Sequence, residues 1–116
     1  MSDKIYKICL IQEWQSACIT GIYKGSQVDL EDGFIHFSTQ QQLSATAKKH
    51  FHGQKNLILV EFDTKNVSLT WEPSRGGELF PHLYQELPIS GSEKTWLLTL
   101  DENNTPVLPF RLKKND

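Results

Sequence analysis

His36 and Ser38 stand two residues apart inside the run Asp32-Gly33-Phe34-Ile35-His36-Phe37-Ser38-Thr39. An imidazole donates or accepts a hydrogen bond at either nitrogen, and a hydroxyl does both from one oxygen. In an extended strand alternate side chains share a face, so Phe34, His36 and Ser38 are expected on one side and Ile35 and Phe37 on the other. An apolar face for the core and a face carrying imidazole and hydroxyl is the pattern of a cleft wall that contacts a ligand. Each residue also has a plainer reading. Ser38 can cap the helix that follows it, and His36 can be a buried ring bonded to backbone. A triad nucleophile is not readable at Ser38, because no Gly-x-Ser-x-Gly elbow surrounds it.

A second cluster runs from Trp71 to Tyr84 and includes Arg75, Gly76-Gly77 and His82. A glycine pair lets backbone N–H groups approach an anion closely, and a guanidinium beside it pairs with phosphate. The plainer reading is a flexible turn and a solvated charge. If Leu79 to Tyr84 is extended, His82 and Tyr84 share a face and Leu83 opposes them, leaving Tyr84 to stack on a flat ring such as a nucleobase or nicotinamide. Metal ligation is not supported: His50 and His52 diverge at a helix end, and no carboxylate is spaced to complete a site around His36 and His82. The scattered Glu61, Glu72, Glu78 and Glu86 do not make a paired-carboxylate hydrolase.

The elements that must position these residues are legible from periodicity. Ile5 to Leu10 reads as a strand, followed by a short helix with Ile11, Trp14, Ala17 and Cys18 on one face and Gly21 as its terminator. Tyr23 to Asp32 lacks periodicity and reads as a loop. After the His36 strand, Ser38 and Thr39 with Gln41 and Gln42 match the capping-box spacing, and Leu43, Ala47 and Phe51 form the buried stripe of a helix ended by Gly53. Leu57 to Phe62 is nearly all apolar, as in a central strand covered on both sides. Leu69 and Trp71 alternate in a short strand, and residues 73–77 form a loop. Leu79 to Tyr84 contains Pro81 and is expected at an edge or a bulge. Lys94 to Leu100 and Val107 to Leu112 are expected as the last strands, with a frayed tail at 113–116. Helices early and strands afterwards indicate one α+β domain over residues 1–116.

The totals narrow the function classes. A chain of 116 residues with net charge −2 has no basic footprint for DNA or RNA. No apolar run is long enough to cross a bilayer and the amino terminus has no signal-peptide core. Cys9 and Cys18 form no Cys-x-x-Cys pair and read as buried apolar residues of a cytoplasmic protein. A small-molecule or nucleotide ligand is the expected partner.

Together these segments resemble the DUF952 family of small, uncharacterised bacterial proteins. The opening Ile5-Tyr6-Lys7-Ile8-Cys9, Trp14, the Asp32–Ser38 run, His50-Phe51, Trp71-Glu72 and Phe80-Pro81-His82-Leu83-Tyr84 carry the resemblance almost end to end. It implies an ADP-ribosyltransferase-like α+β fold, two small, mostly antiparallel sheets with two helices and a cleft between them that holds NAD in active members. It further implies that His36 serves the ribose and nicotinamide side and that Tyr84 stacks on nicotinamide. Phe34, Ser38, Trp71, Arg75, Gly76, Gly77 and His82 are the candidate ligand contacts around them. Active transferases add a late glutamate, which the two expected last strands lack, and Glu86 is not a counterpart. Two functions follow as expectations: ADP-ribosyl transfer or hydrolysis at the nicotinamide–ribose bond, or a non-catalytic module that keeps the cleft without the reaction.

Overall fold

The computed structural model describes residues 3–74 and 76–109. In chain order the elements are β1 (Lys4–Leu10), α1 (Ile11–Thr20), β2 (Ile22–Tyr23), α2 (Gln27–Asp32), β3 (Ile35–His36), β4 (Ser38–Thr39) and α3 (Leu43–His50). They continue with β5 (Leu57–Asp63), β6 (Thr70–Pro73), β7 (Leu79–Leu83), β8 (Leu87–Pro88) and β9 (Ser92–Leu98). The α+β class is as expected, but among the described residues the strands form three antiparallel sheets in place of two: β4-β1-β5-β9, β2-β8 and β3-β7-β6. Among the described residues the α-helices number three, because α2 occupies most of the segment expected to be loop.

β5 is buried at every residue, in keeping with its apolar sequence and its place between β1 and β9. One face of the large sheet carries Ile5, Cys9, Ile58, Val60 and Phe62 against Trp14 and Ala17 of α1, Tyr23, Phe37 and Leu83. The other carries Tyr6, Ile8, Leu57, Leu59 and Leu98 against Leu43 and Ala47 of α3. Phe62 meets Trp14 and Phe37 edge-on at ring separations of 6.2 and 5.8 Å. Truncating such a ring to alanine is expected to cost about 3–5 kcal/mol.

Residues 35–39 form the joint between two sheets. Ile35 and His36 pair with Leu83 and His82 of β7, whereas Ser38 and Thr39 pair with Tyr6 and Ile5 of β1. Phe37 sits buried at the crossover. The expected alternation holds through it, with Ile35 and Phe37 in the core.

Three expectations need correction. Cys18 is exposed, because the buried stripe of α1 is carried by Trp14 and Ala17. β7 is the central strand of its sheet despite Pro81. The Pro81 carbonyl accepts from the Phe37 N–H at 3.1 Å, so its missing N–H faces the residue where the chain leaves this sheet, and the bond forgone is one to Phe37 and not one to β6. Residues 101–105 form the expected turn, closed by a Leu100–Pro106 bridge and by the Val107 N–H donating to the Thr99 carbonyl at 2.7 Å. Residues 107–109 are not in a strand; 110–112 and the tail at 113–116 lie outside the described residues.

Candidate functional site

The site begins with a strand that is too short. β4 covers β1 only at Ile5 and Tyr6, so from Lys7 onward that edge of β1 has no strand neighbour among the described residues. A pocket of about 480 Å³ opens there, with α2 contributing Asp29 and Asp32, α3 contributing Thr46 and His50, and the joint contributing His36 and Ser38.

Asp29 organises this region. It is the third residue of α2, where its amide donates to the Ser26 hydroxyl at 3.3 Å and its Oδ2 accepts from the Ser26 amide at 2.9 Å, a reciprocal cap. Gly25 (φ +117°) makes the approach feasible, since a Cβ there would stand 2.8 Å from the Asp29 Cβ. The αL turn at Gly33 (φ +85°) then folds the chain back on α2. That return brings the His36 amide to 3.1 Å and its Nδ1 to 2.6 Å from Asp29 Oδ1. From the core face of β1, Lys7 Nζ reaches the two carboxylate oxygens at 2.9 and 2.8 Å. Burial alone would push the Asp29 carboxyl up; the His36 hydrogen bond and the Lys7 charge outweigh it and hold the group well below the usual carboxylate range.

His36 is thus fixed at one nitrogen by a buried carboxylate. Its Nε2 lies 3.0 Å from Asp32 Oδ2, both residues line the pocket, and the ring is one-third exposed. With a proton on each nitrogen the ring donates to both carboxylates. His50, across the pocket at the end of α3, is pushed down by burial and then by the charges of Lys49 and His36.

The other flank of His36 is aromatic. His36 and His82 are direct cross-strand partners with ring centroids 5.5 Å apart. Phe34 stacks on His82 at 4.0 Å and reaches His36 at 4.5 Å and Tyr84 at 5.2 Å. Glu72 Oε1 holds this surface together, 2.8 Å from His82 Nδ1 and accepting from the Tyr84 hydroxyl at 2.6 Å. The Tyr84 bond, then His82, holds the Glu72 carboxyl down, and Glu72 in turn raises the Tyr84 phenol.

The candidate residues therefore divide. Phe34, His36, His82 and Tyr84 come together, and His36 and Ser38 line the pocket. Ser38 is not the helix cap: its hydroxyl is 2.9 Å from that of Thr46, and it is Thr39 that exchanges bonds with Gln42 ahead of α3. Trp71 pairs with Pro81, on the face opposite Glu72 and His82, and borders a separate pocket of about 260 Å³ beside Lys4 and Thr39. Gly76 and Gly77 form the exposed β6–β7 turn, closed by Ser74 N–H to Glu78 at 2.9 Å, away from His36. Arg75 lies outside the described residues. The residues missed in the sequence were Lys7, Asp29, Asp32 and Thr46. The Ser26-x-x-Asp29 cap and the Gly33 stop were the available signal for α2. Among the described residues no three His, Cys, Asp or Glu side chains are grouped to hold a metal ion, and no helix is long and apolar enough to cross a membrane.

These features define an α+β protein with its pocket at the half-covered edge of a four-stranded antiparallel sheet. The chain belongs to the family described as "Protein of unknown function (DUF952)", whose model matches residues 8–104. It is similar to the crystal structure of protein CC0527 from Caulobacter crescentus, with 44% identity and a TM-score of 0.89 over 94% of this chain and 97% of that one. The solution NMR structure of CC0527 superposes with a TM-score of 0.78 at 44% identity, over 89% of this chain and 90% of that one. No curated protein matches the chain.

Proposed function

We propose that this chain binds a nucleotide of the NAD or ADP-ribose type at the His36 pocket, in an ADP-ribosyltransferase-like arrangement, as a cytoplasmic protein acting on a small molecule and not on DNA. The observation that carries the proposal is the fixed orientation of His36. One nitrogen is locked on buried Asp29, the other edge opens to a pocket of about 480 Å³, and the Phe34 and Tyr84 rings lie on its flank. A preorganised imidazole edge suits a ribose hydroxyl, and Tyr84, 53% exposed, offers a platform for a base or nicotinamide. The reaction suited to such a site breaks the bond between ribose C1′ and the nicotinamide nitrogen. The electron pair leaves with the ring, and water or an acceptor hydroxyl bonds C1′ and loses its proton.

A non-catalytic binding module is the second reading, favoured by the placement of Glu93. β9 starts at Ser92 and so includes this glutamate, but its carboxylate is paired with Lys4, at the end of β1 remote from the pocket. Amide NMR spectra recorded while adding NAD, ADP-ribose and a 2′-phosphorylated oligonucleotide test the binding. Saturable shifts at residues 34–39 and 82–84, abolished by His36→Ala, are expected; a flat response to all three removes the nucleotide reading. Release of nicotinamide from NAD, lost in the same variant, distinguishes enzyme from module.

A further inference from the structure

Three carboxylates line the His36 pocket, and two are already committed. Asp29 accepts from Ser26, Lys7 and both the amide and ring of His36, and Glu13 Oε1 accepts from the Leu10 amide at 3.1 Å. Asp32 differs. Its side chain is 49% exposed and its contact among the described residues is His36 Nε2, through Oδ2 alone. It also sits at the C-terminal end of α2, where the helix dipole disfavours a carboxylate, so the position gains nothing from the helix. With Lys7 neutralised by Asp29, the edge of the pocket at Asp32 suits neutral groups that donate hydrogen bonds, the sugar of a nucleotide and not its phosphates.

We propose that Asp32 and the Nε2 edge of His36 form a reader of vicinal cis-hydroxyls, which makes the pocket specific for ribose over 2-deoxyribose. This deepens, and rests on, the reading of the pocket as a nucleotide site. One hydroxyl of the pair donates to Asp32; its neighbour either donates to the second carboxylate oxygen or accepts from His36 Nε2–H. The ligand thus replaces the Asp32–His36 contact with bonds of the same kind. Asp29 keeps His36 in place during the exchange, because its hold is on the other nitrogen.

Calorimetric titration of AMP, 2′-deoxy-AMP and NAD into the native protein and into Asp32→Asn and Asp32→Ala tests the proposal. AMP should bind native protein about tenfold or more tightly than 2′-deoxy-AMP, the effect of a hydroxyl bonded to a charged acceptor. Both variants should bind the two nucleotides equally and unfold at the native midpoint. Equal native affinities, discrimination that survives in the variants, or no binding of any nucleotide overturns the proposal. NAD binding without a 2′-hydroxyl preference sinks the Asp32 role and leaves the nucleotide pocket standing. A 2′-hydroxyl preference for AMP with no NAD binding keeps the Asp32 role and sinks the NAD-type reading of the pocket.

Discussion

His36 and His82 face each other across β3 and β7, and each presents Nδ1 to a carboxylate, Asp29 at 2.6 Å and Glu72 at 2.8 Å. The two pairs look alike and differ in what surrounds them. Asp29 is 2% exposed and shares its charge with Lys7, itself buried, so this ion pair is locked out of water with the part-exposed His36 ring held against it. Glu72 stands at the surface and binds His82 and Tyr84 through one oxygen. A buried ion pair leaves a large debt when one partner is removed, whereas an exposed pair is screened and contributes little. The difference assigns Asp29–His36 to building the pocket and Glu72–His82 to arranging an aromatic surface beside it.

The largest test of this contrast is Asp29→Ala. It leaves the Lys7 ammonium buried without its partner and should lower stability by about 3–5 kcal/mol in urea unfolding. Next is acid. The Asp29 carboxyl is held below its unfolded value, so its contribution is complete above about pH 3.9 and is lost progressively as the pH falls below that. Native protein should therefore lose stability steeply below pH 4, while Asp29→Asn, weaker at neutral pH, shows a flatter acid limb. An equal slope in both would remove Asp29 as the source.

The two faces of the chain also part at the thiols. Burial pushes Cys9 up to about 12, whereas Cys18 is exposed. A disulfide reagent should label Cys18 in the folded protein and reach Cys9 only on unfolding. The smallest effect belongs to Glu72→Gln. The unfolding midpoint should hold, while the Tyr84 phenol, released from the carboxylate, titrates at lower pH in ultraviolet absorbance. A loss of stability there comparable to that of Asp29→Ala would erase the distinction between the pairs.

Much of the fold is legible in local sequence pattern. The β5 run, the Leu43-Ala47-Phe51 stripe, the Gly21 stop and the alternation of Ile35 and Phe37 with Phe34 and His36 all depend on near neighbours, which a single sequence displays. What stayed hidden is long-range. Lys7 is a single charged residue in an apolar strand, yet it points into the core because Asp29, 22 positions on, is there to receive it. Pro81 reads as an edge signal, and only the departure of the chain at Phe37 frees β7 to be central. Trp71 and Tyr84 read as one cluster because they are close in sequence, but strand alternation puts Trp71 on the opposite face from the Glu72 that bonds Tyr84.

The central claim is that the Nε2 edge of His36 is the ligand-facing group of this pocket. Long-range proton–nitrogen spectra of the four histidine rings during addition of ADP-ribose test it most directly. The account predicts that His36 Nε2 shifts saturably while His52, bonded to the Asn103 carbonyl outside the pocket, does not move. Saturable binding that leaves the His36 ring unchanged, or no response from any ring, would contradict it.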